Sequence, residues 1–185
     1  MSKINVFFAE GHEEIEGLTV IDLLRRAGLE VNIVSISESL NVTGSHNITI
    51  KADKLITDVD FDKGDMIVLP GGLPGTTYLG KCKVLTNQII KYNKENKMIA
   101  AICAAPSVLG ELGVLNGKSA TCYPGFEDKL IGANYLNSGV VKSQNIITAS
   151  GLGTAINFTL EIVEHYLGKA KAKDIADAIQ YKYYN

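Results

Sequence analysis

A cysteine that follows a short apolar segment is the residue in this chain best suited to chemistry. The segment spans residues 98–102, Cys103 follows it, and a helical pattern begins at Pro106 after Ala104 and Ala105. A strand, a sharp turn and a helix in this order would hold the cysteine at the carboxyl edge of a sheet, as in a nucleophile elbow. Because the positive amino end of the helix stabilises a thiolate, we expect the Cys103 pKa to fall below its free value of about 8.5.

The same segment could instead end in a buried and inert cysteine that closes a core strand, since free cysteines are often buried. The small side chains of Ala104 and Ala105 leave room for a reactant at the sulfur and favour the reactive interpretation. The chain has three cysteines and no CxxC spacing. An odd number of this kind indicates neither a disulfide framework nor a structural zinc site.

A carboxyl group that could assist the thiol lies after the first predicted strand, in a loop with four glutamates. That charge makes the loop a poor phosphate cradle, so a nucleotide site is not expected there. Glu13 and Glu14 suit the amino end of a helix. Glu16 lies on the first helical turn and could reach the crevice. A carboxyl beside a thiolate would have its pKa raised, stay protonated and donate a hydrogen bond to the sulfur.

Two glycine-rich turns, residues 70–75 and 150–154, are candidates for the same edge. The first could be a turn that needs positive φ, which glycine supplies. It could also form an oxyanion hole in which the Gly72 amide pairs with that of Ala104. The two interpretations are compatible. Neither turn is a GxGxxG fingerprint, so dinucleotide binding is not expected. We also predict no other cofactor and no metal.

The three histidines give the thiol no obvious base. His12 lies in the acidic loop, His46 in a predicted hairpin, and His165 in a late helix where a structural role is expected. A thiol nucleophile with a dedicated imidazole partner is therefore not indicated. Tyr123 could offer a hydroxyl, although a tyrosine before Pro124 more often serves packing.

Strand-like and helix-like segments alternate along the chain. The predicted strands are 4–9, 31–36, 65–69, 97–102, 119–122, 139–141 and 146–149, the predicted helices are 15–27, 84–95, 106–112, 154–167 and 171–181, and 40–53 resembles a small hairpin. This alternation predicts an α/β fold with a mostly parallel sheet between two helical layers, a flavodoxin-like three-layer sandwich. Ligands of such folds bind at the carboxyl ends of the strands, where Cys103 falls.

Length and composition fit one globular domain over residues 1–185. The formal charge of −2, without a basic stripe, argues against a nucleic-acid partner. The apolar runs are too short to span a bilayer, and no signal-peptide pattern precedes the first strand. We therefore expect a cytoplasmic protein with no membrane partner.

Five stretches together resemble the ThiJ/PfpI superfamily, in particular its DJ-one branch, which includes the parkinsonism-associated protein and bacterial YajL. They are AEGHEEIE (9–16), LRRAG (24–28), VLPGG (68–72), IAAICAAP (99–106) and SGLGT (150–154). Each stretch is weak alone, but their order and spacing together are highly specific. The resemblance implies a flavodoxin-like sandwich and a homodimer.

The resemblance also implies roles for individual residues. Cys103 would be the nucleophile, Glu16 the protonated partner of its thiolate, and Gly72 with Ala104 the backbone donors. Arg26 would help to line the site across the dimer interface, and His46 and Tyr123 are the other candidate pocket residues. Two departures matter: Tyr123 stands where the parkinsonism-associated protein has a histidine, and His46 where it has an arginine. The first argues against Cys-His peptidase chemistry, and the second against a cationic pocket for sulfate-like or oxidised-cysteine groups.

The function predicted most strongly is a cysteine-dependent glyoxalase or deglycase that protects against oxidative stress. It would act on α-oxoaldehydes such as methylglyoxal or on their protein adducts. The alternative is a redox sensor or chaperone in which Cys103 is oxidised to sulfinate and nothing is turned over. A role in thiazole monophosphate biosynthesis ranks low, because no phosphate cradle supports it. Peptidase activity ranks low as well.

Overall fold

A computed structural model describes residues 2–184 of the chain. The strands are β1 Lys3–Phe8, β2 Glu30–Ser35, β3 Asn41–Thr43, β4 Thr49–Lys51, β5 Lys54–Leu55, β6 Met66–Leu69, β7 Met98–Ile102, β8 Ser119–Ala120, β9 Asn134–Tyr135, β10 Val140–Ser143 and β11 Ile146–Ala149. The helices are α1 Glu14–Arg26, α2 Gly75–Lys81, α3 Lys83–Lys94, α4 Pro106–Glu111, α5 Ala155–Leu167 and α6 Lys169–Ala178.

The main sheet of the described residues has seven strands in the order β10-β11-β7-β6-β1-β2-β5. All neighbouring strands are parallel except β10 and β11, which form an antiparallel pair at one edge. The central strands β1, β6 and β7 are almost wholly buried, as expected of parallel strands covered on both faces. The predicted flavodoxin-like architecture is therefore confirmed.

Alternate side chains of each central strand enter two separate cores. On one face, Val6, Val68 and Ala100 pack in a cluster with apolar side chains of α1, α5 and α6. On the other face, Ile67 and Ala101 belong to a cluster with side chains of α2, α3 and α4. This period-two division produces the three-layer sandwich.

The structure adds elements to those predicted and halves the length of one predicted strand. Residues 40–53 contain the expected hairpin, formed by β3 and β4. Residues 119–122 were predicted to be one strand, but only Ser119–Ala120 is extended in β8, and Cys122 follows it in a loop. The helix α2 was not predicted, because Pro74, Gly75 and two threonines at its start are typical of loops. Burial of Leu79 against the sheet stabilises this helix.

Candidate active site

Cys103 occupies the sharp turn between β7 and α4, as predicted. Its φ is +65°, a left-handed conformation that is uncommon for a residue with a side chain. Two hydrogen bonds hold the backbone in place. The Cys103 N–H donates to the Ala149 carbonyl at 2.9 Å, and the Cys103 carbonyl accepts from the Tyr123 N–H at 2.8 Å. Neighbouring strand and loop segments thus fix the strained turn that presents the sulfur.

Glu16 is held inward on the first turn of α1. The Glu13 side chain caps this helix by accepting from the Glu16 N–H at 2.7 Å. The Glu16 residue is only 1% exposed, and its Oε2 accepts from the Gly71 N–H at 2.9 Å. Among the described residues, Oε1 has no hydrogen-bond partner of normal geometry. One carboxyl oxygen is therefore fixed by a hydrogen bond, and the other has no such bond.

Gly71 lies at the point where Cys103 and Glu16 meet. A β-carbon on Gly71 would stand 2.6 Å from the Cys103 β-carbon and 2.8 Å from Glu16 Oε2. Real β-carbons essentially never make contacts this short. The absence of a side chain at residue 71 is thus what allows the carboxyl and the cysteine to approach each other.

The two groups shift each other's pKa. Burial is the main cause that raises the Glu16 pKa from 4.5 to about 7, while Cys103 and the Gly71 amide act in the opposite direction. Burial raises the Cys103 pKa to about 12, and the Glu16 charge adds to this increase. The expectation that the Cys103 pKa falls below its free value is therefore wrong, because burial outweighs the effect of the neighbouring amides. A proton kept on Glu16 removes that charge, so the pair titrates as a unit.

The amides of Ala104 and Gly72 both face the Cys103 sulfur and lower its pKa. These are the two residues predicted as backbone donors. Gly72 has a φ of +89°, and a β-carbon there would lie 2.3 Å from the Glu13 nitrogen. Glycine is therefore required at residue 72 for its loop to pass this close to the start of α1. Two backbone N–H groups of this kind can stabilise negative charge on sulfur or on a substrate oxygen.

A cleft of about 440 Å³ opens beside this turn. It is lined by uncharged residues from three loops and β9, namely Cys122, Tyr123, Pro124, Tyr135, Asn137, Ser138, Gly139, Ser150, Gly151, Leu152, Gly153 and Thr154. Tyr123 is half-exposed, and its ring lies against Gly151. The Leu152 amide also contacts Glu16 and lowers its pKa. The glycine-rich turn 150–154 therefore joins the site, as predicted, through a backbone contact that the sequence did not reveal.

His46 and Arg26 do not reach Cys103 within this chain. His46 lies in the loop between β3 and β4 and binds the buried Glu14 carboxylate through its backbone N–H at 2.7 Å and through Nδ1 at 2.8 Å. Arg26 pairs with Asp22 at 2.7 Å on the exposed end of α1. It lies about 15 Å along the helix axis from Glu16. A pocket role for either residue stays a prediction that depends on a partner chain.

His12 is fully buried in the described structure. Its Nδ1 lies 3.0 Å from the Ala9 carbonyl, and its ring packs edge-on against Phe8. Burial lowers the pKa of His12, which favours the neutral imidazole. These contacts give His12 a structural role and leave the thiol without a visible imidazole base.

Among residues 2–184, one group of side chains has ligand atoms close enough together to hold a metal ion. It consists of Glu13, Glu14 and His46, whose ligand atoms lie within 4.8 Å of one another. Their atoms are already used in other contacts. Glu13 caps α1, and the Glu14 carboxylate accepts from His46 and from the Ile48 N–H. Burial opposes ionisation of Glu14, yet these hydrogen bonds lower its pKa to about 2. Hydrogen bonding within the protein accounts for the cluster without a metal.

No helix of the described chain is long and apolar enough to cross a membrane.

The chain is similar to several known proteins in sequence and in structure. A "Glutathione-independent glyoxalase DJR-1.2" of Caenorhabditis elegans is 36% identical over 168 residues, which cover 90% of this chain and 89% of that protein. The "Protein DJ-1 homolog B" of Arabidopsis thaliana is 39% identical over 94% of this chain, but the chain spans only 40% of its length. The solved structure "Toxoplasma gondii DJ-1, oxidized" superimposes with a TM-score of 0.95 at 38% identity, covering 99% of this chain and 100% of that one. The DJ-1/PfpI family model matches residues 2–165, and the chain belongs to this family.

Proposed function

We propose that the protein is a cysteine-dependent glyoxalase or deglycase that acts on α-oxoaldehydes or their adducts. The observation that carries this proposal is the contact of Cys103 and Glu16 across Gly71, with the amides of Gly72 and Ala104 facing the sulfur. Chemistry at an aldehyde needs only a thiol, a carboxyl group whose pKa is near 7 and two fixed amides. The glyoxalase name of the Caenorhabditis relative supports the same reaction class.

The reaction with methylglyoxal can be written as a balanced sequence. The Cys103 sulfur attacks the aldehyde carbon, and the one proton shared by the thiol and Glu16 passes from Glu16 to the resulting oxyanion. This gives a hemithioacetal and leaves Glu16 ionised. Glu16 removes the hydrogen from that carbon as a proton and returns a proton to the adjacent ketone carbon through an enediol. The aldehyde carbon is thereby oxidised to a thioester and the ketone carbon is reduced to an alcohol. Water cleaves the thioester, releases lactate and restores the thiol.

The cleft beside Tyr123 is the proposed site for the rest of the substrate. Its lining carries no charged side chain, so an uncharged carbonyl compound meets no electrostatic penalty there. Its volume of about 440 Å³ leaves space beyond a three-carbon aldehyde. A glycated side chain of another protein is therefore a second substrate of the same kind.

A redox sensor is the second candidate function. Cys103 is only partly buried, which favours access of peroxide to this residue. The Toxoplasma structure is described as oxidized, which is a property of that protein. Oxidation of Cys103 to sulfinate would place a new negative charge against the Gly72 and Ala104 amides. Turnover and sensing use the same sulfur, so they must be separated by experiment.

A homodimer is also part of the proposal. Three large apolar side chains, Ile15, Leu18 and Ile48, are exposed on α1 and the adjacent hairpin. The hydrogen bond from Ile48 N–H to Glu14 places this hairpin beside the start of α1. Apolar side chains grouped in this way are typical of an interaction surface. Sedimentation of Leu18→Glu should show monomer where the wild type shows dimer, and a monomeric wild type would contradict this part of the proposal.

The proposed function is tested by measuring lactate formation from methylglyoxal by NMR. Wild type and Cys82→Ser should form lactate at equal rates, because Cys82 lies outside the site, whereas Cys103→Ser should form none. Mass spectrometry after graded peroxide, with the residual turnover measured on the same samples, tests the alternative. A wild type that forms no lactate but gains two oxygens on Cys103 would favour the sensor over the enzyme.

A further inference from the structure

The cleft beside Cys103 has an apolar surface that a three-carbon aldehyde is too small to cover. Tyr123, Tyr135 and Leu152 line the cleft and are 50%, 37% and 49% exposed. They come from three separate segments of the chain, and Pro124 adds to the same surface. Exposed apolar side chains that converge on one cleft are typical of a ligand pocket. The cleft volume of about 440 Å³ exceeds the roughly 150 Å³ of a protein cavity that binds benzene.

Two backbone contacts join the walls of the cleft to the reacting residues. The Tyr123 N–H donates to the Cys103 carbonyl at 2.8 Å. The Leu152 N–H contacts the Glu16 carboxyl group. One wall is therefore fixed beside the nucleophile and the other beside the carboxyl group that moves the proton. A substituent on a carbonyl compound held at the sulfur is thus within reach of the cleft.

The aromatic surfaces of the cleft are not used by other rings of the chain. Among residues 2–184, neither Tyr123 nor Tyr135 is paired with another aromatic ring. The Tyr123 ring lies against Gly151, where a β-carbon would crowd it at 3.3 Å. Both rings are also partly exposed, so each has surface free to contact a ligand.

The polar side chains of the lining offer little to a charged or sugar-like substituent. The Thr154 hydroxyl donates to the Gly151 carbonyl at 2.8 Å, and the Ser138 hydroxyl donates to the Val140 carbonyl at 3.1 Å, so these protons are already used. Of the residues that the structure describes, none that lines the cleft carries a charge. A carboxylate or phosphate placed there would lose hydration without gaining a charged partner. Together with the two tyrosine rings, this lining favours an aromatic substituent.

We propose that this cleft selects α-oxoaldehydes that carry an aromatic ring, of which phenylglyoxal is the simplest. The inference rests on the proposed function, because Cys103 performs the same reaction on either substrate. The sulfur attacks the aldehyde carbon, the hydrogen of that carbon moves as a proton to the ketone carbon through an enediol, and water cleaves the thioester to release mandelate. The phenyl ring packs against Tyr123, Tyr135 and Leu152, which are therefore the specificity-determining residues.

Steady-state turnover of phenylglyoxal and of methylglyoxal by the same variants tests the proposal. The measured quantity is the ratio of kcat/KM for the two substrates, because their difference in intrinsic reactivity cancels between variants. Leu152→Ala and Tyr135→Ala should each lower this ratio about twofold to tenfold relative to the wild type. Tyr78→Ala is the matched control, because it removes a tyrosine ring of similar exposure, 44%, from outside the lining. Its ratio should equal that of the wild type.

A charged variant tests the uncharged lining in the opposite direction. The wild type should prefer phenylglyoxal to its para-carboxylate derivative, whose charge has no partner in the cleft. Asn137 is exposed and lines the cleft. Asn137→Lys should raise kcat/KM for the para-carboxylate derivative relative to phenylglyoxal about twofold to fivefold, because the ammonium group supplies that partner. An unchanged preference in Asn137→Lys would show that the ring does not enter this cleft.

Binding of acetophenone to Cys103→Ser, followed by amide NMR, gives a readout without turnover. Acetophenone carries the ring but no aldehyde, and it should cause saturable shifts at Tyr135, Gly151 and Leu152. A wild type that turns over methylglyoxal, with the same ratio in Leu152→Ala as in Tyr78→Ala, overturns this inference and leaves the proposed function intact. A wild type that turns over neither aldehyde overturns the proposed function and the substrate claim together. Acetophenone that shifts none of the three amides overturns the ring pocket itself.

Discussion

Glu16 Oε2 and the Cys103 β-carbon lie 2.8 Å and 2.6 Å from the position that a β-carbon on Gly71 would occupy. One residue comes from the first helix and the other from the turn after β7, and the sheet brings them together at the carboxyl ends of its strands. Glu16 and Cys103 can thus lie this close together because Gly71, the residue between them, has no side chain.

Gly71→Ala should reduce turnover of methylglyoxal strongly. The new methyl group would collide with Cys103, Glu16 and the Ile102 carbonyl, and overpacking of this kind costs about 1–3 kcal/mol of stability. Because the collision falls on the reacting groups, the loss of turnover should exceed what unfolding explains. Gly80→Ala is the control, since its β-carbon would meet Val108 at an ordinary 3.5 Å. Equal turnover in the two variants at 25 °C would contradict the spacer role of Gly71.

The raised pKa of Glu16 should make stability depend on pH. An acid whose folded-state pKa is above its ordinary value contributes stability that is complete below about pH 4.5 and is lost as the pH rises through about 7. The contribution amounts to at most about 3 kcal/mol. Glu16→Gln stays neutral throughout, so the free energy of urea unfolding of the wild type should fall relative to this variant between pH 4.5 and 8. A difference that does not change with pH would contradict the raised pKa.

Glu14→Gln should loosen the hairpin of β3 and β4. The carboxylate accepts from His46 and Ile48, and its pKa of about 2 means that this stabilisation is present above pH 4.5 and is lost as the pH falls towards 2. The loss of a buried charged acceptor should cost about 1–3 kcal/mol. Amide hydrogen exchange of His46 and Ile48 should become faster in Glu14→Gln but not in Glu38→Gln, which changes an exposed carboxylate. Unchanged exchange in Glu14→Gln would show that this contact does not hold the hairpin.

Peptidase activity should be absent. Amide cleavage needs a base to activate the nucleophile and an acid to protonate the leaving amine. His12 is buried against Ala9 and Phe8, and His46 is bound to Glu14, so neither imidazole serves the sulfur. Incubation with casein and with peptide substrates should give no cleavage beyond that of Cys103→Ser. Cleavage that depends on Cys103 would mean that a partner chain supplies the missing base.

Local patterns were sufficient to predict the sheet, most helices and the cysteine turn, because buried strands and amphipathic helices leave clear periodicities. They were insufficient where contacts between distant segments determine the burial or the pKa of a residue. Glu14 was interpreted as a favourable charge at the start of a helix, yet it is buried because the hairpin supplies three hydrogen bonds. The Cys103 pKa was predicted from the helix end alone, whereas burial and Glu16 dominate it. The spacer role of Gly71 could not be inferred, because it depends on where three separate segments meet.

In the proposed reaction, Cys103 attacks the aldehyde and Glu16 then moves the proton. Glu16→Gln separates these two steps, because the amide retains the shape of the side chain but cannot shuttle a proton. We expect its turnover to fall about 10²- to 10⁴-fold while its fold is retained.

The most direct measurement is rapid acid quenching of Glu16→Gln during reaction with methylglyoxal, followed by peptide mapping by mass spectrometry. We expect an adduct of one methylglyoxal to accumulate on Cys103, faster than on Cys82 or Cys122. Lactate should appear far more slowly than in the wild type. Lactate formation at the wild-type rate, or an adduct that forms first on another cysteine, would contradict the proposed reaction.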